Sequence, residues 1–425
     1  MKFIFADSLD MVDPSYDFIE DRSKPSRKTY WDDAYPHEIL GYAPYSGILV
    51  SRGIVEEKYT NSQAMRFRRV GARAFLRLDR PEFADLDIFG DCGAFSYAKD
   101  EKPPYTPENM VEFYGDGGFT HGCSVDHIIF DFDPSVRGMD GGSEDARRRF
   151  DITLENADVF LRASRDLGNR FTPLGVIQAW SPDSMGEAAR RLVAMGYQYL
   201  AVGGMVPLKS PQIKQCLEAI RAAIPTSTRL HILGFAKADE IASFFPYDIT
   251  SFDTTSPLIR AFKDDKQNYF LPAGPQKLRY FTAIRVPQSM ENSRLLRLIK
   301  RGVFRSEDLT TMERRALKLL RSYDNGEADL HETLEAVMTY SAPLVMEQPY
   351  EDVKGASKLK TLETRYLETL SERPWKKCPC SICQQISIEV MIFRASNRNR
   401  RRGIHNLAVF KGLVDTLTTQ GTKHE

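Results

Sequence analysis

Between residues 46 and 260, short apolar runs recur, each followed by a polar or glycine-bearing end and then a helix-like stretch. This alternation restricts the fold more than any other feature of the chain. The runs are GILVS (47–51), ARAFLRL (72–78), LDIFGD (86–91), DHIIFD (126–131), LGVIQAW (174–180), YLAVGG (199–204), RLHILGF (229–235) and DITSFD (248–253). Amphipathic stretches at 145–167, 184–195, 213–224 and 238–245 lie between them, and Ser181-Pro182 supplies a capping serine and a first-turn proline. Continuously apolar strands alternating with helices specify an α/β fold whose parallel sheet is covered on both faces. Such a sheet can stay open and doubly wound, or close into a (β/α)8 TIM-type barrel. Closure is favoured by where the polar residues fall. Asp91, Asp131, Gln178, Gly203, Gly204 and Asp253 each end a run, and a barrel gathers strand ends into one mouth.

Residues 1–45 lack periodicity and read as a loop-rich N-terminal arm, followed by the barrel at 46–275. Residues 276–370 lose the strand pattern and read as a helical, basic insertion, and 371–425 as a cysteine-bearing segment packed on the barrel. With 42% hydrophobic and 27% charged residues, the composition is that of an ordinary globular protein. No run approaches the ~18 apolar residues that span a membrane, and the start MKFIFADSLDM lacks a signal-peptide core, so a cytoplasmic protein without membrane contact is expected. Lysine plus arginine equals aspartate plus glutamate at 58 each, but the charge is unevenly spread. From Arg294 to Arg321 there are nine basic residues against three acidic ones, and a second cluster comprises Arg394, Arg398, Arg400, Arg401 and Arg402. Basic charge gathered in one half suggests a phosphate-facing surface, a solvated helix face being the plain alternative.

Three of the six cysteines are bunched as Cys378-x-Cys380-x-x-Cys383, and His405 follows in GIHNLAVF. Three thiolates and an imidazole make a closed tetrahedral zinc site, which holds structure rather than performing chemistry. One structural Zn2+ per chain is therefore expected. Cys92 and Cys123 show no such spacing and read as buried small hydrophobes.

This cysteine–histidine spacing, placed after a barrel, resembles the zinc signature of the tRNA-guanine transglycosylase superfamily. Further stretches resemble that family in the same order: Asp91-Cys-Gly-Ala-Phe95, Phe130-Asp131, Gly175-Val-Ile-Gln178, Tyr199–Met205, His231–Asp239 and Ser251-Phe-Asp253. Cys92 and Ala94 depart from the usual D-S-G-G-F, and Leu233 stands where bacterial members often have methionine. The long helical block, and the absence of an archaeal-type RNA-binding domain after His405, look most like the DNA-modifying branch, whose members insert a 7-deazaguanine into DNA.

The resemblance implies base exchange by two displacements through a covalent sugar–enzyme intermediate. Asp253 would be the nucleophile at C1′ and Asp91 the general acid/base. Asp131 would read the guanine-like edge, Gln178 with the backbone of Gly203, Gly204 and Met205 would bind the carbonyl side, and Phe95 would stack on the base. A duplex base must be swung out to reach them, so Arg398, Arg400, Arg401 and Arg402 are expected to hold phosphates beside the zinc ligands. The entering base implied is 7-cyano-7-deazaguanine, and the partners implied are DNA and the proteins of a DNA-modification system. Exchange on tRNA uses the same residues and stays open as the alternative; a non-catalytic nucleic-acid-binding paralogue would have lost Asp91 and Asp253. His231 takes no role in this reading.

Overall fold

The computed structural model describes every residue except 236, 347–352 and 422–425. It divides into two compact units. The first comprises residues 1–9, 45–256 and 414–425, and the second 10–44 and 257–413.

The first unit is a closed barrel of eight parallel strands in chain order: β1 (Lys2–Ala6), β2 (Gly47–Ser51), β3 (Asp87–Asp91), β4 (His121–Cys123), β5 (Thr172–Ile177), β6 (Tyr199–Val202), β7 (Arg229–Ile232) and β8 (Ser251–Asp253). β1 closes the ring against β8, with Phe3 opposite Phe252 and Ile4 opposite Asp253. Strand residues Ile4, Leu49, Phe89, Leu174, Val176 and Tyr199 meet in one buried apolar cluster. Burial of this kind stabilises by roughly 25 cal/mol per Å². Helices follow the strands as expected; in Pro182–Met195 the Ser181 side chain caps the Ser184 N–H and proline takes the first turn.

Two of the eight expected strands are not strands. Residues 72–78 begin inside the helical stretch Asn61–Phe75, which kinks at Gly71 (φ +78°) and buries Ala72 and Phe75 beyond the kink. Residues 126–131 are unpaired chain beyond β4. The missing strands are β1, in the segment read as a loop-rich arm, and β4, whose three residues HGC carry no apolar signature. Gly122 in β4 is required by packing, because a Cβ there would lie 2.5 Å from the Tyr114 ring and 2.6 Å from Phe171. The aromatic shell outside the barrel thus erased the pattern that would have revealed the strand.

The second unit contains the helices Ser293–Lys300, Ser306–Asn325, Leu330–Val345 and Val353–Glu372, together with most of Ser396–Gly421. Its core includes Leu298, Leu320, Tyr340, Tyr366 and Trp375, and also Val12 and Leu40. Residues 10–44 are therefore part of a packed unit, and the helical block and the cysteine segment share one core. No described helix is long and apolar enough to cross a membrane.

Candidate active site

The polar residues of the first unit converge at the carboxyl ends of the strands, where a parallel barrel places its chemistry. Asp91 is the last residue of β3, Gln178 follows β5, Gly203 follows β6 and Asp253 ends β8. Burial pushes the Asp91 carboxyl up to about 7, and the charges of Asp253 and Asp126 add to that. Hydrogen bonds from the Ser51 hydroxyl and the Gly93 N–H work in the opposite direction. Its Oδ1 is buried without a hydrogen-bond partner. A buried carboxyl that titrates near neutrality, with one oxygen unclaimed, is equipped to give and take a proton.

Asp253 is buried, and its Oδ1 accepts from the Gly234 N–H at 2.9 Å and from His231 Nε2 at 3.2 Å. Gln178 donates from Nε2 to Asp126 Oδ2 at 2.7 Å, while its Oε1 accepts from the Ile129 N–H at 3.3 Å. Asp126 Oδ1 takes a second bond from the Cys92 thiol at 3.1 Å. Burial nevertheless raises the Asp126 carboxyl, because removal from water outweighs the two donors. Gly203 must lack a side chain, since a Cβ would lie 2.3 Å from Gln178 Nε2. Gly204 has a φ of +73°, and Met205 beside it is buried.

Sequence reading passed over Asp126. Asp131, expected to read the base edge, is exposed and accepts from Ser143 Oγ at 2.5 Å; the carboxylate bonded to Gln178 is Asp126. The difference follows from where the strand lies. With β4 ending at Cys123, the strand end falls near Asp126, whereas a strand drawn over 126–131 puts its end at Asp131. Phe95 is 60% exposed, and Phe130, 55% exposed, stands 6.3 Å from it with the rings tilted by 55°. The two rings form one tilted aromatic pair left exposed to solvent. The stretch 231–239 includes residue 236, which lies outside the described residues, as do the last four residues of the segment 371–425.

In the second unit, the ligand atoms of Cys378, Cys380, Cys383 and His405 lie within 4.8 Å of one another. The three sulfurs are 3.5, 3.3 and 3.4 Å from His405 Nδ1. A tetrahedral ion with bonds of about 2.3 Å to sulfur and 2.0 Å to nitrogen has N···S edges of about 3.5 Å, so the donor set fits a metal. His405 Nε2 is 2.8 Å from the Phe270 carbonyl, which takes its proton and leaves Nδ1 free to ligate. The Tyr269 ring covers the imidazole at 4.1 Å.

The arginines expected to face phosphates do not. Arg398 and Arg402 are fully buried, Arg401 is 3% exposed and Arg400 is half-buried. Arg398 pairs with Asp21 and with Glu389 at 2.7 Å. Arg400 donates to the Met11 carbonyl, Arg401 to that of Asp13, and Arg402 to those of Val390 and Ala261. They fasten residues 10–44 and neighbouring segments to the helix. The signal was available in the spacing: 398, 401, 402 and 405 recur at three- and four-residue steps, so three of these arginines share a helix face with the metal-ligating histidine. Arg398→Met is expected to destabilise the protein by about 1–3 kcal/mol: Asp21 keeps Arg394 and Glu389 keeps Arg321, but each loses a charge-assisted hydrogen bond. Thermal denaturation checks this. By contrast Arg297, Lys300, Arg301, Arg314, Arg315 and Lys318 are exposed and keep their charge at the surface.

No protein-family profile matches the chain. A DNA-guanine transglycosylase of Salmonella montevideo is 42% identical over 416 residues, covering 96% of this chain and 95% of that protein.

Proposed function

Because the chain belongs to the DNA-guanine transglycosylase family, whose enzymes are base-exchanging pentosyltransferases, we propose that it replaces guanine in DNA with a 7-deazaguanine, 7-cyano-7-deazaguanine being the entering base. The reading rests above all on one observation: two carboxyls at the strand ends of one barrel have different surroundings. Asp253 has an oxygen fixed by two donors, and Asp91 is held near neutrality with an oxygen unpaired. Environments that separate two carboxyls in this way divide a nucleophile from an acid/base.

In the first displacement Asp253 attacks C1′, the bond from C1′ to N9 of guanine breaks, and Asp91 gives the departing base its proton. Esterification neutralises Asp253 and so removes a charge that raises Asp91. Asp91 is then more readily held as the carboxylate, the form that must take the N9 proton of the entering base. As that base attacks C1′, the Asp253 carboxylate is released and its returning charge favours the acid form of Asp91 again. Asp126 and Gln178 supply an acceptor and an amide to the base edge, and Phe95, packed against Phe130, offers a ring for stacking on the base. Zinc bound by Cys378, Cys380, Cys383 and His405 would supply structure only, by tying a short helix to the long C-terminal one.

The test is uptake of labelled 7-cyano-7-deazaguanine by plasmid DNA or by total tRNA. Label in DNA and not in tRNA is the expected result; label confined to tRNA overturns the reading.

Asp91 also makes a pH signature. Its folded value of about 7 exceeds the ordinary 3.8, so the native state holds a proton that the unfolded chain has lost. Stability from this group is complete below about pH 4 and falls by up to about 4 kcal/mol as pH rises through 7. Asp91→Asn, uncharged throughout, is expected to gain stability over the native chain between pH 5 and pH 8, while exchange falls by about 10²–10⁴-fold. Melting temperatures and exchange rates at the two pH values check both signs.

A further inference from the structure

His231, one of the two donors to Asp253, has further partners in the barrel wall. It lies on β7, fully buried, with the Phe89 ring stacked on it at 5.0 Å. Both of its ring nitrogens are engaged. Nε2 is 3.2 Å from Asp253 Oδ1, and Nδ1 is 2.5 Å from Ser251 Oγ, which is itself 2.7 Å from the Tyr199 hydroxyl. All three partners are buried.

We propose that His231 is a positioning residue for the nucleophile: with Ser251 and Tyr199 behind it, it fixes one oxygen of Asp253 so that the other attacks the sugar. The proposal rests on the reading of Asp253 as nucleophile. Proton bookkeeping gives the line a direction. An ionised carboxylate only accepts, so Nε2 carries the hydrogen. Nδ1 of the neutral ring is then an acceptor and takes the Ser251 hydroxyl proton, and Ser251 Oγ accepts in turn from Tyr199. Every hydroxyl donates once and no proton is left over. A single tautomer satisfies the whole line, and it is the one that aims an N–H at Asp253.

The consequence falls on the two carboxylate oxygens. Oδ1 holds two donors, His231 Nε2–H and Gly234 N–H. Oδ2 makes no hydrogen bond among the described residues and is not among the buried unpaired atoms, so it is open to solvent. Attack through Oδ2 leaves Oδ1 as the ester carbonyl with both donors in place. When the entering base displaces the carboxylate, charge returns to an oxygen already hydrogen-bonded, without reorganisation.

The experiment compares His231→Phe and His231→Gln in exchange of radiolabelled guanine into DNA. Phenylalanine keeps a ring against Phe89 and removes both nitrogens; glutamine can return an N–H at the position of Nε2. His231→Phe is expected to lower kcat by about 10²-fold with KM for DNA within about twofold, as for loss of one donor to developing charge. His231→Gln is expected to recover at least about tenfold of that loss. Equal kcat in His231→Phe and the native protein, or equal losses in both variants that follow their melting temperatures, overturns the proposal. Should His231→Phe fail to fold, Ser251→Ala decides. Without the serine hydroxyl the ring is free to move its proton to Nδ1 and turn a lone pair on Asp253, so kcat falls at constant KM; unchanged kcat overturns the proposal. Covalent adduct in Asp253→Ala would defeat the nucleophile assignment itself, whatever the histidine variants do.

Discussion

Asp253→Ala will form no covalent adduct with DNA and will exchange bases at least about 10⁴-fold more slowly than the native protein, the loss typical of removing a nucleophile. Its fold should survive, because alanine leaves the Gly234 N–H and His231 close to the open mouth, where water can reach the space that Asp253 Oδ2 now faces. Denaturing electrophoresis of protein incubated with DNA, in the presence and absence of guanine, reads the outcome. Native protein gives a slower band that disappears when base is added, and the variant gives none at any concentration. Asp91→Asn separates the two roles. With the acid removed but the nucleophile intact, the second displacement also slows, so adduct that does form persists. An adduct in Asp253→Ala of the same yield as in native protein would show that the sugar is attached elsewhere.

The second large effect concerns the cysteine–histidine cluster. Cys383→Ala, or exhaustive chelation, is expected to remove one metal ion per chain and to unfold the second unit rather than merely slow the enzyme. Structural zinc contributes about 10–16 kcal/mol in small domains, more than the net stability of about 5–15 kcal/mol of most proteins. Cys378 and Cys383 belong to the same apolar core as Trp375 and Tyr340, so losing the ion opens that core. Elemental analysis gives the metal and its stoichiometry, and limited proteolysis shows which part opens. Cleavage confined to residues 257–413 and 10–44 is the expected pattern. A fully folded, metal-free protein would overturn the structural role.

Much of the barrel could be read from the chain because six strands kept their apolar character and their polar ends. The two that did not were masked for different reasons. Lys2–Ala6 is a five-residue strand beside an irregular segment, and His121–Cys123 gave up its apolar residues to the Tyr114 and Phe171 rings around Gly122. That second loss spread to the site, since a strand over 126–131 ends at Asp131, whereas one ending at Cys123 leads into Asp126. The metal ligands were legible because ligation demands residue types at fixed separations. The buried arginines were not, because a count of charge cannot tell a helix face turned to water from one turned to carboxylates; their periodicity could have. His231 was invisible for a related reason. Nothing in a single histidine of an apolar run reports that a serine twenty positions later and a tyrosine thirty-two positions earlier will lie beside it.

The salt bridge between Asp21 and Arg398 joins positions 377 residues apart. During synthesis, everything needed to close the barrel strands has been made once Asp253 leaves the ribosome, but Asp21 and the carbonyls of Met11, Asp13 and Phe18 wait for a helix near the other end of the polypeptide. Residues 10–44 therefore stay without their partners through most of translation, and the second unit condenses only when the last fifth of the protein emerges. Neither unit is a contiguous stretch that could be cut out and expressed alone; a workable dissection would need a circular permutation or a linker that rejoins the separated pieces.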